Sequence, residues 1–109
     1  MATAANLRKL ALHMPEVAEQ SHFGQPDFRV CGKIFACLSR DSRRATLKLP
    51  REVQTNLLEE HPKVFSAAAG RWGMSGWTEI NLAQVTVDKL DVLMLEAWTV
   101  MAPKKLLVG

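Results

Sequence analysis

The chain has 109 residues, 48% of them hydrophobic and 23% charged, which suits one folded domain over residues 1–109 and excludes a disordered chain. Its longest apolar run, Ile34–Leu38, is far shorter than the roughly 18 residues a membrane-spanning helix needs. With no apolar leader segment and two cysteines, Cys31 and Cys37, too few for a disulfide framework, the expectation is a cytoplasmic protein with no membrane association.

A first helix is predicted from about Ala4 to His13. Thr3 is its cap, and Leu7, Leu10, Ala11 and Met14 form its apolar stripe. Pro15 ends it, because the residue before proline is pushed out of the α region. Residues Glu16–Pro26 read as an extended entry segment closing in the turn signals Gly24 and Pro26. A first strand is expected over Asp27–Cys31, a tight turn at Gly32-Lys33, and a second strand over Ile34–Ser39 that is apolar on both faces and therefore central. A third strand, Arg44–Leu49, alternates, with Ala45, Leu47 and Leu49 facing in.

Pro50 opens a second helix, Arg51–Glu60, with Val53 and Leu57 as its core contacts. A fourth strand at Val64–Ala67, a glycine-rich connection from Gly70 to Gly76 and a fifth strand at Trp77–Leu82 follow. Thr86 caps a last helix whose stripe is Val87, Leu90, Leu93, Met94, Ala97 and Met101, stopped by Pro103. The order α-β-β-β-α-β-β-α, with short strand-to-strand links, predicts an α+β two-layer α/β sandwich: a mainly antiparallel five-stranded sheet with helices on one face.

Chemistry-bearing patterns are few. His13, His22 and His61 fall on separate elements and the cysteines are not spaced as CxxC, so no metal site or cofactor is expected. Gly73-Met74-Ser75-Gly76 lacks the G-x-S-x-G spacing of a nucleophile elbow, and Gly32-Lys33 lacks the upstream glycine of a phosphate loop. The chain is therefore read as a binding protein, not an enzyme.

Charge is the strongest functional signal. The net charge is +3, but Arg29, Lys33, Arg40, Arg43, Arg44, Lys48 and Arg51 face only one acid, Asp41, between residues 29 and 51. That segment carries +6 and the remainder −3. Cations on neighbouring strands, about 5 Å apart, can track phosphates and release counterions; the competing reading is a solvated face or protection of a sheet edge. Arg71-Trp72 and Trp77, joined by a loop rich in glycine, are either stacking platforms beside a cation or core plugs. Lys104 and Lys105 complement the last helix dipole or extend the basic patch. The candidate nucleic-acid contacts are thus Arg29, Lys33, Arg40, Arg43, Arg44, Lys48, Arg71, Trp72, Lys104 and Lys105.

Several short segments together resemble the MmcQ/YjbR family of small bacterial proteins. Pro15-Glu16-Val17-Ala18-Glu19 resembles the family's Pro-Gly-x-x-Glu segment, with Glu16 in place of the usual glycine. His22-Phe23-Gly24 resembles its aromatic-Gly motif, and Phe28–Ala36 its "F-V-x-G-K-x-F-A" hairpin. Leu47-Lys48-Leu49, Gly76-Trp77-Thr78 and Ala102-Pro103-Lys104-Lys105-Leu106 complete the set. The resemblance implies a YjbR-like, secretion-chaperone-like sandwich and a DNA-binding role through paired hairpins, and it supplies no catalytic residues to carry over. Binding to the DNA backbone is the resulting expectation. The alternatives are a protein-interaction or chaperone-like module using the open sheet face, or a small-molecule binder.

Overall fold

Thr3 caps the first helix, α1 (Ala4–Leu12), in the computed structural model, which describes residues 1–107. The Thr3 hydroxyl accepts from the Asn6 amide at 3.1 Å and the Asn6 side chain accepts from the Thr3 amide at 2.9 Å, a reciprocal cap. Leu7 and Ala11 are fully buried.

Four strands follow: β1 (Val17–His22), β2 (Gln25–Val30), β3 (Lys33–Leu38) and β4 (Arg44–Lys48). Residues Glu16–Pro26 are therefore not an entry segment. They contain a complete strand and a turn, and the sheet has six strands where five were expected. Both hairpin turns have two consecutive residues at positive φ: Phe23 (49°) with Gly24 (78°), and Cys31 (48°) with Gly32 (84°). That is the type I′ pattern, whose twist matches the flanking strands. The second turn thus sits one residue earlier than Gly32-Lys33. Between β2 and β3 the register passes from Phe28 opposite Ala36 to Arg29 opposite Ile34. The extra residue, Phe35, forms a bulge, which lets Phe35 and Ala36 both be buried.

Pro50 precedes α2 (Arg51–Glu60), followed by β5 (Phe65–Ala67), α3 (Arg71–Met74), β6 (Trp77–Asn81), a 3-10 turn (Leu82–Gln84), α4 (Val87–Met101) and α5 (Lys104–Leu107). The glycine-rich connection thus holds a one-turn helix, and the strand after it is the sixth. The Thr86 hydroxyl accepts from the Lys89 amide at 3.1 Å, as a cap should. The sheet order is β1-β2-β3-β4-β6-β5, antiparallel throughout.

Helix α4 lies against β3 and β4 with α1 beside it, while α2 packs at the β5 edge. Phe28, Val30, Ala36, Leu38, Ala45, Leu47 and Ile80 from the sheet meet Leu7, Ala11, Leu90, Leu93 and Met94 from α1 and α4, all essentially buried. Each large side chain removed from water in this way stabilises the fold by about 1.5–3 kcal/mol. Val87, expected in the α4 stripe, is exposed at the helix start, and Trp98 is buried. The Trp98 indole N–H donates to the Pro15 carbonyl at 3.0 Å, tying α4 to the turn behind α1. The helices α1 and α4 cover one face of the sheet. The other face carries only half-buried and exposed side chains over most of its area, with α3 rising beside β6 at one end.

Candidate binding groove on the open sheet face

Strand alternation decides which side chains reach the open face. Gln20 pairs with Asp27, Asp27 with Cys37, Cys37 with Thr46 and Thr46 with Glu79, one row across five strands. Lys48 pairs with Trp77 and Arg29 with Ile34 in a neighbouring row. Between these residues runs a groove of about 460 Å3, lined by His22, Ile34, Cys37, Thr46, Ala68, Ala69, Trp72 and Trp77. It reaches from β1 to β6, roughly 19 Å at the usual strand spacing.

The β6 end is walled by α3. Trp72 is 67% exposed and its ring meets Trp77 edge-on, centroids 6.1 Å apart at 72°. Three side chains hold this wall. Lys48 donates to the Ser75 carbonyl, Arg51 to the Met74 carbonyl, and the buried Gln54 amide to the carbonyls of Gly73 (2.9 Å) and Trp77 (3.2 Å). A Cβ on Gly73 would run into the Ala68 carbonyl. Gly76 has φ +108°, and a Cβ there would strike the Leu49 carbonyl. The Gly73–Gly76 segment is thus glycine-rich because backbone passes backbone there. The Lys48 ammonium lies 5.8 Å from the Trp77 ring centroid, a cation–π distance.

The β1 end carries ionisable groups. The Asp27 side chain is completely buried, although its strand position faces the open side. Arg29 grips it with two bonds, 2.8 and 3.2 Å, and His22 Nδ1 lies 2.8 Å from its second oxygen. The Arg29 bonds hold the Asp27 carboxyl below the usual carboxylate range, with His22 adding to the effect against the opposing pull of burial. Burial pushes the Cys37 thiol up, so it lies in the groove floor as a neutral group. Beside His22, Phe23 is 87% exposed at positive φ, a strained setting for a bulky residue. The two rings meet edge-on at 6.3 Å, and Arg40 donates to the Phe23 carbonyl at 2.7 Å.

The predicted cations do not form one surface. Arg29, Arg44 and Lys48 face the open side, but Arg29 is neutralised by Asp27 and Arg44 lies 3.4 Å from Glu79. Arg40 and Arg43 belong to the β3–β4 turn at the His22 end. Lys33 begins β3 opposite Val30, a residue of the covered side, and so does not join the open-face cations. Arg71 and Trp72 lie on α3; Lys104 and Lys105 are exposed on α5, outside the groove lining. Among the described residues, Lys33, Arg40, Arg43, Lys48, Arg51 and Arg71 have no carboxylate within 4 Å. A hydrogen bond to a neutral carbonyl leaves the charge on Arg40, Lys48 and Arg51 uncompensated. Two cationic ends thus flank an apolar middle.

Cys37 and Thr46 as groove residues, and Asp27 as the partner of His22, were not evident in the sequence. Asp27 faces His22 only once β1 is recognised as a strand. Among the described residues no group of three or more His, Cys, Asp or Glu side chains gathers as a metal site, and no helix is long and apolar enough to cross a membrane.

The YjbR family model matches residues 12–100. Among solved structures, a crystal structure of a Deinococcus radiodurans protein with the DUF419 domain superposes with a TM-score of 0.78 at 23% identity, covering 92% of this chain and 78% of that one. That likeness concerns the fold. No functionally curated protein matches the chain.

Proposed function

This chain belongs to the YjbR family, and on that premise we propose that it is a non-catalytic nucleic-acid-binding protein that takes single-stranded DNA across its open sheet face. One observation carries the reading: an exposed and a half-buried indole, Trp72 and Trp77, wall one end of an apolar groove beside the uncompensated Lys48. Past His22, at the other end, stands the exposed Phe23, whose backbone carbonyl is held by the uncompensated Arg40. Stacking of bases on such rings is worth about 1–3 kcal/mol per base, and cations at the rim neutralise phosphates. The mode differs from the pure backbone binding expected of a continuous basic hairpin surface, because the middle of the groove is apolar. The two free cysteines, Cys31 and Cys37, fit a reducing cytoplasm.

The apolar floor formed by Ile34, Ala68 and Ala69 favours a second reading, an extended apolar peptide or small aromatic ligand in the same groove. Fluorescence anisotropy with labelled single-stranded and duplex DNA at two salt concentrations separates the readings. The expected result is tighter binding of the single strand, weakened by salt, and about tenfold weaker binding by Trp72→Ala. Absence of single-strand binding at low salt, or preference for the duplex, would contradict the proposal.

A further inference from the structure

His22 is not an ordinary edge-strand histidine. Its Nδ1 lies 2.8 Å from an Asp27 carboxylate oxygen. An ionised carboxylate can only accept, so Nδ1 carries the hydrogen of that bond. Asp27 is kept ionised by the two-pronged Arg29 contact, and burial of its side chain keeps solvent from competing. In neutral His22 the hydrogen is thereby placed on Nδ1, and Nε2 is left as a bare acceptor. It has no hydrogen-bond partner among the described residues, while His22 lines the groove and its side chain is 35% exposed. The other polar side-chain groups of the lining are the Cys37 thiol, kept neutral by burial, the Thr46 hydroxyl and the indole N–H donors of Trp72 and Trp77. Nε2 is thus the strongest acceptor in a largely apolar lining.

We propose that Nε2 of His22 reads a Watson–Crick-edge donor, a ring N–H or exocyclic amino group, on an unpaired base lying in the groove. The inference rests on the single-strand reading above and deepens it. The ring N–H is engaged in duplex DNA and free in a single strand, whereas one hydrogen of each exocyclic amino group stays open in a duplex groove, so it is the ring N–H contact that rejects paired bases without any steric gate. A ring without such a donor would bury Nε2 unpartnered, which is the unfavourable outcome that produces discrimination.

The test uses two oligonucleotides of equal length, one of thymidine and one of N3-methylthymidine, titrated into the full chain. They share charge and stacking surface, and only the first has a donor. The wild-type protein is expected to bind the methylated strand about fivefold more weakly, the scale of one net hydrogen bond. His22→Phe, which keeps a ring at the site, is expected to bind the two alike. Equal wild-type affinities, or discrimination that persists in His22→Phe, would overturn the assignment while leaving single-strand binding intact. Failure to bind the thymidine strand at all would instead remove the underlying reading and this inference with it. The 15N spectrum of the free protein, above the ordinary titration range of imidazole, supplies a check that needs no ligand. It should show a protonated Nδ1 and a pyridine-like Nε2 for His22, and the opposite tautomer would overturn the proposal.

Discussion

The two faces of the sheet are built on different principles. The covered face is apolar: Phe28, Val30, Leu38, Leu47 and Ile80 meet α1 and α4, with no ionisable side chain buried among them. The open face holds a buried carboxylate, and a partly buried thiol, a histidine and two tryptophans line its groove. Contacts of the first kind specify a fold and interchange easily with other apolar contacts. Those of the second kind add little stability and demand particular partners. Stability should therefore depend on the covered face and ligand binding on the open one.

The largest expected effect falls on the covered face. Phe28→Ala should destabilise the protein by about 3–5 kcal/mol in thermal or denaturant unfolding, from lost burial and the cavity left behind. A loss below about 1 kcal/mol would show that the helices do not pack as described.

Asp27→Asn comes next, at about 2 kcal/mol, because it unpairs Arg29 and His22 at a buried position. The sign of its pH dependence is fixed. The folded carboxyl titrates below its unfolded value of about 4. Its stabilisation is therefore complete above that pH and is lost as pH falls through the folded value. The wild type should lose stability on acidification more steeply than Asp27→Asn, measured by unfolding between about pH 5 and 2.

Gln54→Ala removes the buried bonds to the Gly73 and Trp77 carbonyls. A loss of about 1–2 kcal/mol is expected, with a change in Trp72 fluorescence that Phe28→Ala does not produce at temperatures where it is folded. The smallest effect should come from Glu16→Gly. Glu16 sits at φ +61°, where a Cβ is unfavourable, so glycine should be neutral to about 1 kcal/mol stabilising despite the added freedom of the unfolded chain. The same backbone angle explains why glycine suits this place in the Pro-Gly-x-x-Glu pattern.

The covered face was legible in the sequence because its residues obey simple periods. Ala45, Leu47 and Leu49 alternate, Leu90, Leu93, Met94 and Ala97 repeat helically, and Thr3, Pro50 and Thr86 mark helix starts. The open face was not. Ala18, Glu19, Gln20 and Ser21 in β1 are all exposed, so an edge strand with little burial left no alternation to find. Its turn is a type I′ hairpin led by Phe23, where Asn or Asp would have announced it. Without β1, the pairing of Gln20 with Asp27 is invisible, and so is the approach of His22 to Asp27. The helix α3 was hidden by Gly73, needed for close packing against Ala68. The charge count was right for the segment, but it could not reveal that Asp27 and Glu79 neutralise Arg29 and Arg44.

The division of labour between the two faces is tested most directly by an NMR titration of the full chain with a single-stranded thymidine oligonucleotide, following backbone amides and the three indole N–H signals. Shifts are expected at Trp72, at Trp77 and along Ile34–Leu38, with the indole of Trp98 on α4, bonded to the Pro15 carbonyl, unmoved. Shifts confined to α1 and α4, or a Trp98 response without one at Trp72 and Trp77, would place binding on the wrong side of the sheet and contradict it.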